Sequence, residues 1–190
     1  MPLTTLNFTS PNSFATGTIV KSETKIISAF GDFAVAHVTN FQDVTGTEVS
    51  FSRTFANSKI LALWNLKWTS QNNIRMLLNR KIGSGSYAVV NQGASGTQNG
   101  RTSAKQVFGA LYNTISVNAM GYGIHAQLYS FLDESGEGLT DTTDAISYKI
   151  TLSGSSTSST DLHLNIGGYD NASNYNKTTE SSVTFMEIKA

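Results

Sequence analysis

Lys59-Ile-Leu-Ala-Leu-Trp-Asn-Leu-Lys-Trp-Thr69 is the segment that settles the architecture. Its even positions, Ile60, Ala62, Trp64, Leu66 and Trp68, share one face of an extended chain, because successive strand side chains point to opposite sides. The other face passes from Leu61 and Leu63 to Asn65 and Lys67. That pattern describes a strand with core on one side that opens to solvent towards its end on the other. The same period of two recurs on both sides of it. Upstream, Val49, Phe51, Arg53 and Phe55 alternate with Ser50, Ser52 and Thr54, giving an aromatic-rich inner face. Downstream, Leu162, Leu164 and Ile166 point one way while Asp161, His163 and Asn165 point the other.

Between these stretches the chain breaks into short β-rich runs separated by Gly, Asn, Asp and Ser, the rhythm of a sandwich or barrel. The runs are Lys25 to Phe30, Ala34 to Phe41, Thr47 to Phe55, Lys59 to Thr69, Ile74 to Ile82, Tyr87 to Asn91, Gln106 to Val117, Tyr122 to Asp133, Ala145 to Ser153, Asp161 to Ile166 and Ser182 to Ile188. Within one of them, Ile74 to Leu78 also fits a helical turn, since Met76, Leu77 and Leu78 are good helix formers. Gly83 to Ser86, Gln92 to Arg101 and Gly154 to Thr160 are polar and read as surface loops, where sandwiches carry their binding sites. Residues 1 to 22, with Pro2 and Pro11 and no sustained period, read as an N-terminal arm, and residues 23 to 190 as one β-sandwich domain.

Composition agrees with an all-β fold. Ser and Thr make up 47 of the 190 residues, and 14% of the chain is charged, about half the usual share. Thirteen basic and thirteen acidic side chains cancel, so no long-range field attracts nucleic acid or an anionic membrane. Cysteine is absent, which excludes disulfides, thiol catalysis and cysteine-ligated metal. No run reaches the 18 or so apolar residues of a membrane span, and the first twenty residues lack the basic and apolar regions of a signal peptide. No cofactor is expected.

Few constellations carry chemistry. His37, His125 and His163 lie far apart with no metal-ligand spacing and read as strand histidines. Gly83-Ser84-Gly85-Ser86 has the wrong spacing for a nucleophile elbow, and no phosphate-cradling loop exists. The acidic run from Asp133 to Asp144 partly mimics a calcium loop. Asp133, Ser135, Glu137 and Asp144 occupy positions 1, 3, 5 and 12, and Gly138 occupies position 6. Position 12 is an Asp where the loop wants the longer Glu, and the flanks read as strands. A solvated connection is therefore the favoured reading, with Asp133, Glu137 and Asp144 as metal candidates. Two of Asp133, Glu137 and Asp141 could also serve as a glycosidase pair, a reading that ranks behind the solvated connection. Of nineteen aromatics, Trp64, Trp68, Phe51, Phe55, Phe131 and Phe185 read as core. Tyr87, Tyr112, Tyr169 and Tyr175 lie in or near polar loops, where their rings could stack on sugars or line a subunit contact, and are the candidate binding residues.

Several phrases occur in a telling order: Phe41-Gln-Asp-Val-Thr-Gly-Thr-Glu-Val-Ser-Phe51, Ser58-Lys-Ile-Leu61, Phe131-Leu-Asp133, Tyr148-Lys-Ile150, Leu164-Asn-Ile-Gly-Gly-Tyr-Asp170 and Ser182-Val-Thr-Phe-Met-Glu-Ile188. Together, over roughly residues 24 to 190, they resemble a β-sandwich domain found in virion proteins of tailed phages, cyanobacterial ones among them, usually at the carboxyl end of tail-fibre-like chains. The two tryptophans of Lys59 to Thr69 and the acidic loop depart from that family's pattern. The resemblance implies a jelly-roll-like antiparallel sandwich, a homotrimer, and a place on the virion surface after synthesis in the host cytoplasm. It further implies a non-enzymatic role as a short fibre or fibre tip touching the host surface or its glycans. The alternatives are a capsid decoration protein held to other virion proteins by residues 1 to 22 and, third, a glycan depolymerase. No residue role transfers from the family.

Overall fold

The computed structural model describes residues 15–27, 31–35, 41–70, 74–90, 96–98, 101–103, 109–111, 125–154, 160–167 and 177–190. Every extended element among them is a strand, and no α-helix occurs there. In chain order the strands are β1 (Ile19–Ile27), β2 (Gly31–Val35), β3 (Gln42–Asp43), β4 (Val49–Ser52), β5 (Lys59–Ser70), β6 (Ile74–Ile82), β7 (Ala88–Val90) and β8 (Gly96–Gln98). They continue with β9 (Arg101–Ser103), β10 (Gly109–Leu111), β11 (His125–Asp133), β12 (Ala145–Gly154), β13 (Thr160–Leu164), β14 (Ile166–Gly167), β15 (Lys177–Thr178) and β16 (Ser181–Ile188).

β5 is the spine of the first sheet. Its twelve residues are long enough to carry two strands end to end along one edge, β16 on Lys59 to Asn65 and β13 on Trp68 to Ser70, while β11 runs along the other edge from Ile60 to Trp68. β1 adds outside β16, and β2 outside β13. The second sheet is built on the β6–β12 pair, with β10 and β7 beside β6 and with β4 and β3 beside β12. All these pairings are antiparallel. Successive long strands alternate between the sheets: β5 in the first, β6 in the second, β11 in the first, β12 in the second, β13 in the first. This is the jelly-roll-like weave expected from the sequence, and it makes most contacts non-local.

The core forms where the inner faces meet. Ile60, Ala62, Trp64, Leu66 and Trp68 are all buried, as their alternation predicts, and oppose Ile74, Met76, Leu78, Ile146, Tyr148, Ile150 and Leu152. Phe185 of β16 lies at the centre. It stacks on Phe51 at 5.2 Å and on Tyr148 at 5.5 Å from the facing sheet, and meets Trp64 edge-on at 6.5 Å. Offset and edge-on rings put the positive rim of one ring against the negative face of the next, which adds to the burial term. A void of about 10 Å³ lined by Leu66, Trp68, Met76, Ile150 and Leu152 has room for no more than a single water. Of the aromatics expected inside, Trp64, Trp68, Phe51, Phe131 and Phe185 are buried. Phe55 is half-buried, because the strand ends at Ser52 and the ring is covered from outside by the Lys189 ammonium at 5.5 Å.

Three features differ from the pattern read off the sequence. Strand β1 begins at Ile19, inside the stretch read as an arm. Val20 is a bulge, with Ile19 paired to Ile188 and Lys21 to the adjacent Glu187, and the extra residue breaks the period of two that would have marked the strand. The run Ile74 to Ile82 is strand β6 with the bounds expected of it, and its helical alternative over Ile74 to Leu78 does not occur, because β12 pairs along all of β6 and Ile74, Met76 and Leu78 enter the core. The stretch Gln92 to Arg101, read as loop, holds β8 and enters β9, paired as a hairpin with Gln98 opposite Arg101. Asn165 does not face solvent. It sits between β13 and β14 at φ 60°, a left-handed conformation that Asn tolerates. Its buried amide donates to the Ile27 carbonyl and accepts from Ser181 Oγ.

Candidate functional site

Towards one end of the sandwich, the inward-facing series of β4, β6, β11 and β16 each carry an ionisable residue, on β6 followed by Ile82 and on β4 just past the strand's last residue. Beyond Val49 and Phe51 comes Arg53, beyond Met76 and Leu78 comes Arg80, beyond Tyr129 and Phe131 comes Asp133, and beyond Val183 and Phe185 comes Glu187. All four are buried, with Asp133 and Glu187 at 0% exposure. Two positive and two negative groups thus leave water together, which is tolerable only if each is paired and hydrogen-bonded.

They are. Arg80 Nη1 donates to Asp133 Oδ1, the Tyr148 hydroxyl donates to Asp133 Oδ2 at 2.6 Å, and Arg80 Nη2 reaches the Glu137 carbonyl at 3.1 Å. Arg53 donates to the carbonyls of Ser58 at 2.7 Å, Thr142 at 2.6 Å and Thr140. Glu187 accepts from the backbone N–H of Thr54 and of Phe55, each at 2.7 Å, and from Ser58 Oγ at 2.6 Å. The network therefore staples two connections, residues 53–58 and 134–142, onto the end of the core. Gly138 supplies the bend that brings the Glu137 carbonyl to Arg80. It sits at φ 78°, a left-handed conformation that glycine adopts without penalty. Its N–H closes a turn on the Ser135 carbonyl at 3.0 Å, and Arg80 Nη2 lies 3.5 Å from where a Cβ would stand.

Electrostatics follow from burial and partners. Burial pushes the Asp133 carboxyl above its usual range, opposed by the Tyr148 hydroxyl and the Arg80 guanidinium. Burial, then the Asp133 charge, push the Tyr148 phenol far above its own. For Glu187 burial also raises the pKa, but the donors Ser58, Phe55 and Thr54 outweigh it and hold the carboxyl below the usual range. Desolvation lowers Arg53.

The candidates named from sequence fall in different places. Asp133 is the buried anion of this network. Glu137, Asp141 and Asp144 are exposed in the 134–144 connection, and among the described residues no three His, Asp or Glu side chains come together to hold a metal. Tyr87 is half-buried on the outer face of the second sheet, with the Lys149 and Lys81 ammonium groups over its ring at 4.2 and 4.8 Å, within cation–π range. Those lysines pair with Asp43 and Glu48. Tyr112, Tyr169, Tyr175 and His37 lie outside the described residues, as do residues 1 to 14 of the arm. Arg80 and Glu187 are not among the candidates that sequence reasoning picks out. Their signal is there, as a charged residue continuing an apolar period of two.

No protein-family model matches the chain, and no curated protein matches it. Solved structures resemble it distantly. They include the T13 particle of infectious bursal disease virus (TM-score 0.44, 13% identity, covering 100% of this chain and 40% of that one) and the VP2 subviral particle of the same virus (TM-score 0.42, 13% identity, 90% and 37%). The Gx strain of that virus matches at TM-score 0.41 and 11% identity, over 90% of this chain and 37% of that one. The chain spans about two-fifths of the length of these structures, and at such similarity the fold rests on the strand pairing described above.

Proposed function

We propose that this chain is a non-enzymatic structural protein of the surface of a tailed-phage virion, a short fibre or fibre-tip module that contacts the host surface. In this reading it works as a homotrimer, meets other virion proteins through residues 1 to 22, and has a host glycan as its surface partner. The observation that carries the reading is how the buried charge is used. Arg53, Arg80, Asp133 and Glu187 are aimed at backbone carbonyls, backbone N–H groups and one another, so their chemistry goes into stiffening two connections at one end of the core. A surface module that must resist mechanical force needs that stiffness. The ordered phrases from Phe41 to Ile188, resembling the fibre-terminal sandwich, supply the virion context.

Immunogold labelling of intact particles tests the location. Gold at the tail tip is expected. Gold spread over the capsid would assign the decoration role instead, and unlabelled particles would end the virion reading. Incubating the purified protein with host polysaccharide tests the chemistry: new reducing ends that disappear in Glu137→Gln or Asp141→Asn would replace a structural role with a depolymerase.

A further inference from the structure

Among the described residues, one edge of the second sheet is built in two pieces. β7 pairs with β6 at Leu78 to Arg80 and β10 pairs with it at Ile74 to Met76, both on the side away from β12. The two pieces lie in one line. Counted from β7, where Val90 is opposite Leu78, residue 91 would stand opposite Leu77; counted from β10, where Gly109 is opposite Met76, residue 108 would. The counts differ by 17 residues, 108 less 91, so 17 residues leave this edge and return to it without using a position along β6. They carry β8 and β9, which pair with each other as a separate two-stranded sheet. A two-stranded ribbon is marginally stable at best by itself, and this one extends neither layer of the sandwich. Connections longer than about 12–15 residues are uncommon in a compact domain, and binding residues concentrate on loops held by a rigid scaffold.

The ribbon is polar, with Gly96-Thr97-Gln98 in β8 and Arg101-Thr102-Ser103 in β9. Gln98 pairs with Arg101 beside the connecting Asn99-Gly100, and Thr97 pairs with Thr102. Strand alternation therefore sets Gln98 and Arg101 on one face of the ribbon and the two threonines on the other. Charge also separates this excursion from the rest of the surface. Lys59, Lys81 and Lys149 each sit beside a carboxylate, from Glu134, Glu48 and Asp43. Residues 92–108 hold Arg101 and Lys105 and no Asp or Glu. A guanidinium is a planar fork that gives a carboxylate two parallel N–H···O bonds, and neighbouring amide and hydroxyl groups suit the hydroxyls of a sugar.

We infer that the β8–β9 hairpin is the glycan-contacting surface of the chain and that its partner is an acidic polysaccharide bearing uronate carboxylates. The inference rests on the glycan partner of the proposed function and gives that partner a place and a chemical class. The register also supplies a clean perturbation. Joining residue 91 directly to Gly109 would continue one strand past Leu77 and Met76, so the ribbon can be removed without shifting the pairing of β6.

The full chain is passed over immobilised polygalacturonate, dextran and dextran sulfate, beside a variant lacking residues 92–108 and the variant Arg101→Gln. Wild type is expected to be retained on polygalacturonate, not on dextran, and less on dextran sulfate. The deletion is expected to keep the far-ultraviolet spectrum and lose retention, and R101Q to bind about tenfold or more weakly, the worth of a hydrogen bond to a charged group. If the deletion variant does not fold, R101Q decides. Retention that ignores both changes overturns the hairpin and leaves the glycan partner to another part of the chain. Equal retention on dextran sulfate overturns carboxylate recognition in favour of bulk charge. No retention on polygalacturonate overturns the inference, while the location read by immunogold stands independently of it.

Discussion

Replacing Arg80 with Met leaves Asp133, which has no exposed surface, without its guanidinium while preserving the length of the side chain. Removing one partner of a buried ion pair costs about 3–5 kcal/mol, because the remaining charge stays desolvated. Asp133 has one escape, which is to take up a proton. Measured from the ordinary value of 3.8, holding that carboxyl neutral at pH 7 costs about 1.36 × 3.2, or about 4.4 kcal/mol, and at pH 5 about 1.6 kcal/mol. The sign is that of a carboxyl raised in the fold: the variant is least penalised in acid, and its deficit grows as pH rises above 3.8 until the folded group ionises. Urea unfolding of wild type and Arg80→Met should therefore give a difference of about 3–4 kcal/mol at pH 7 that shrinks by about 2 kcal/mol or more at pH 5. Adding Asp133→Asn should recover part of the loss at pH 7 and abolish its pH dependence, since no charge is then stranded. A loss under about 1 kcal/mol at pH 7, or an equal loss at both pH values, would refute the assignment of Arg80 as the counterion of a buried, ionised Asp133.

Glu187 has the opposite sign. Its lowered pKa contributes stability above its ordinary 4.5 that disappears as pH falls through the folded value. Glu187→Gln should therefore destabilise by about 1.5–3 kcal/mol at neutral pH and flatten the acid limb of the urea midpoint against pH. Phe185→Ala empties the ring site shared with Phe51, Tyr148 and Trp64. It should cost about 3–5 kcal/mol in denaturant unfolding, with reduced near-ultraviolet circular dichroism from the loss of aromatic packing. Gly83→Ala places a Cβ 3.2 Å from Asp144 Oδ2 at φ 54°. That should lower stability by about 1 kcal/mol, whereas Ser84→Ala one residue on should be near neutral by the same unfolding measurement.

Strands are legible where one alternation is also one burial pattern. β5 shows this most fully: Ile60 to Trp68 are buried at every second position, as their spacing requires. Legibility fails where geometry departs from strict alternation. The Val20 bulge hides the start of β1, and the left-handed Asn165 turns a residue read as outward into a buried connector. The β8–β9 hairpin falls in a stretch read as loop, although Asn99-Gly100 lies between its strands and is a strong two-residue hairpin signal. In the acidic run, composition separates Asp133 from Glu137, Asp141 and Asp144 no better than chance, because burial divides them: Asp133 ends an inward-facing period, and the others follow it into the loop.

That the protein is all-β, and which faces of its long strands are wet or dry, could be read from the residues alone, because a period of two is a local property that any extended chain expresses. Two things needed the folded molecule: which strands are neighbours, and that four charges from distant parts of the chain meet at one end. Those depend on register and sheet order, which are set by non-local pairing such as Ile19 with Ile188, and no local pattern encodes them.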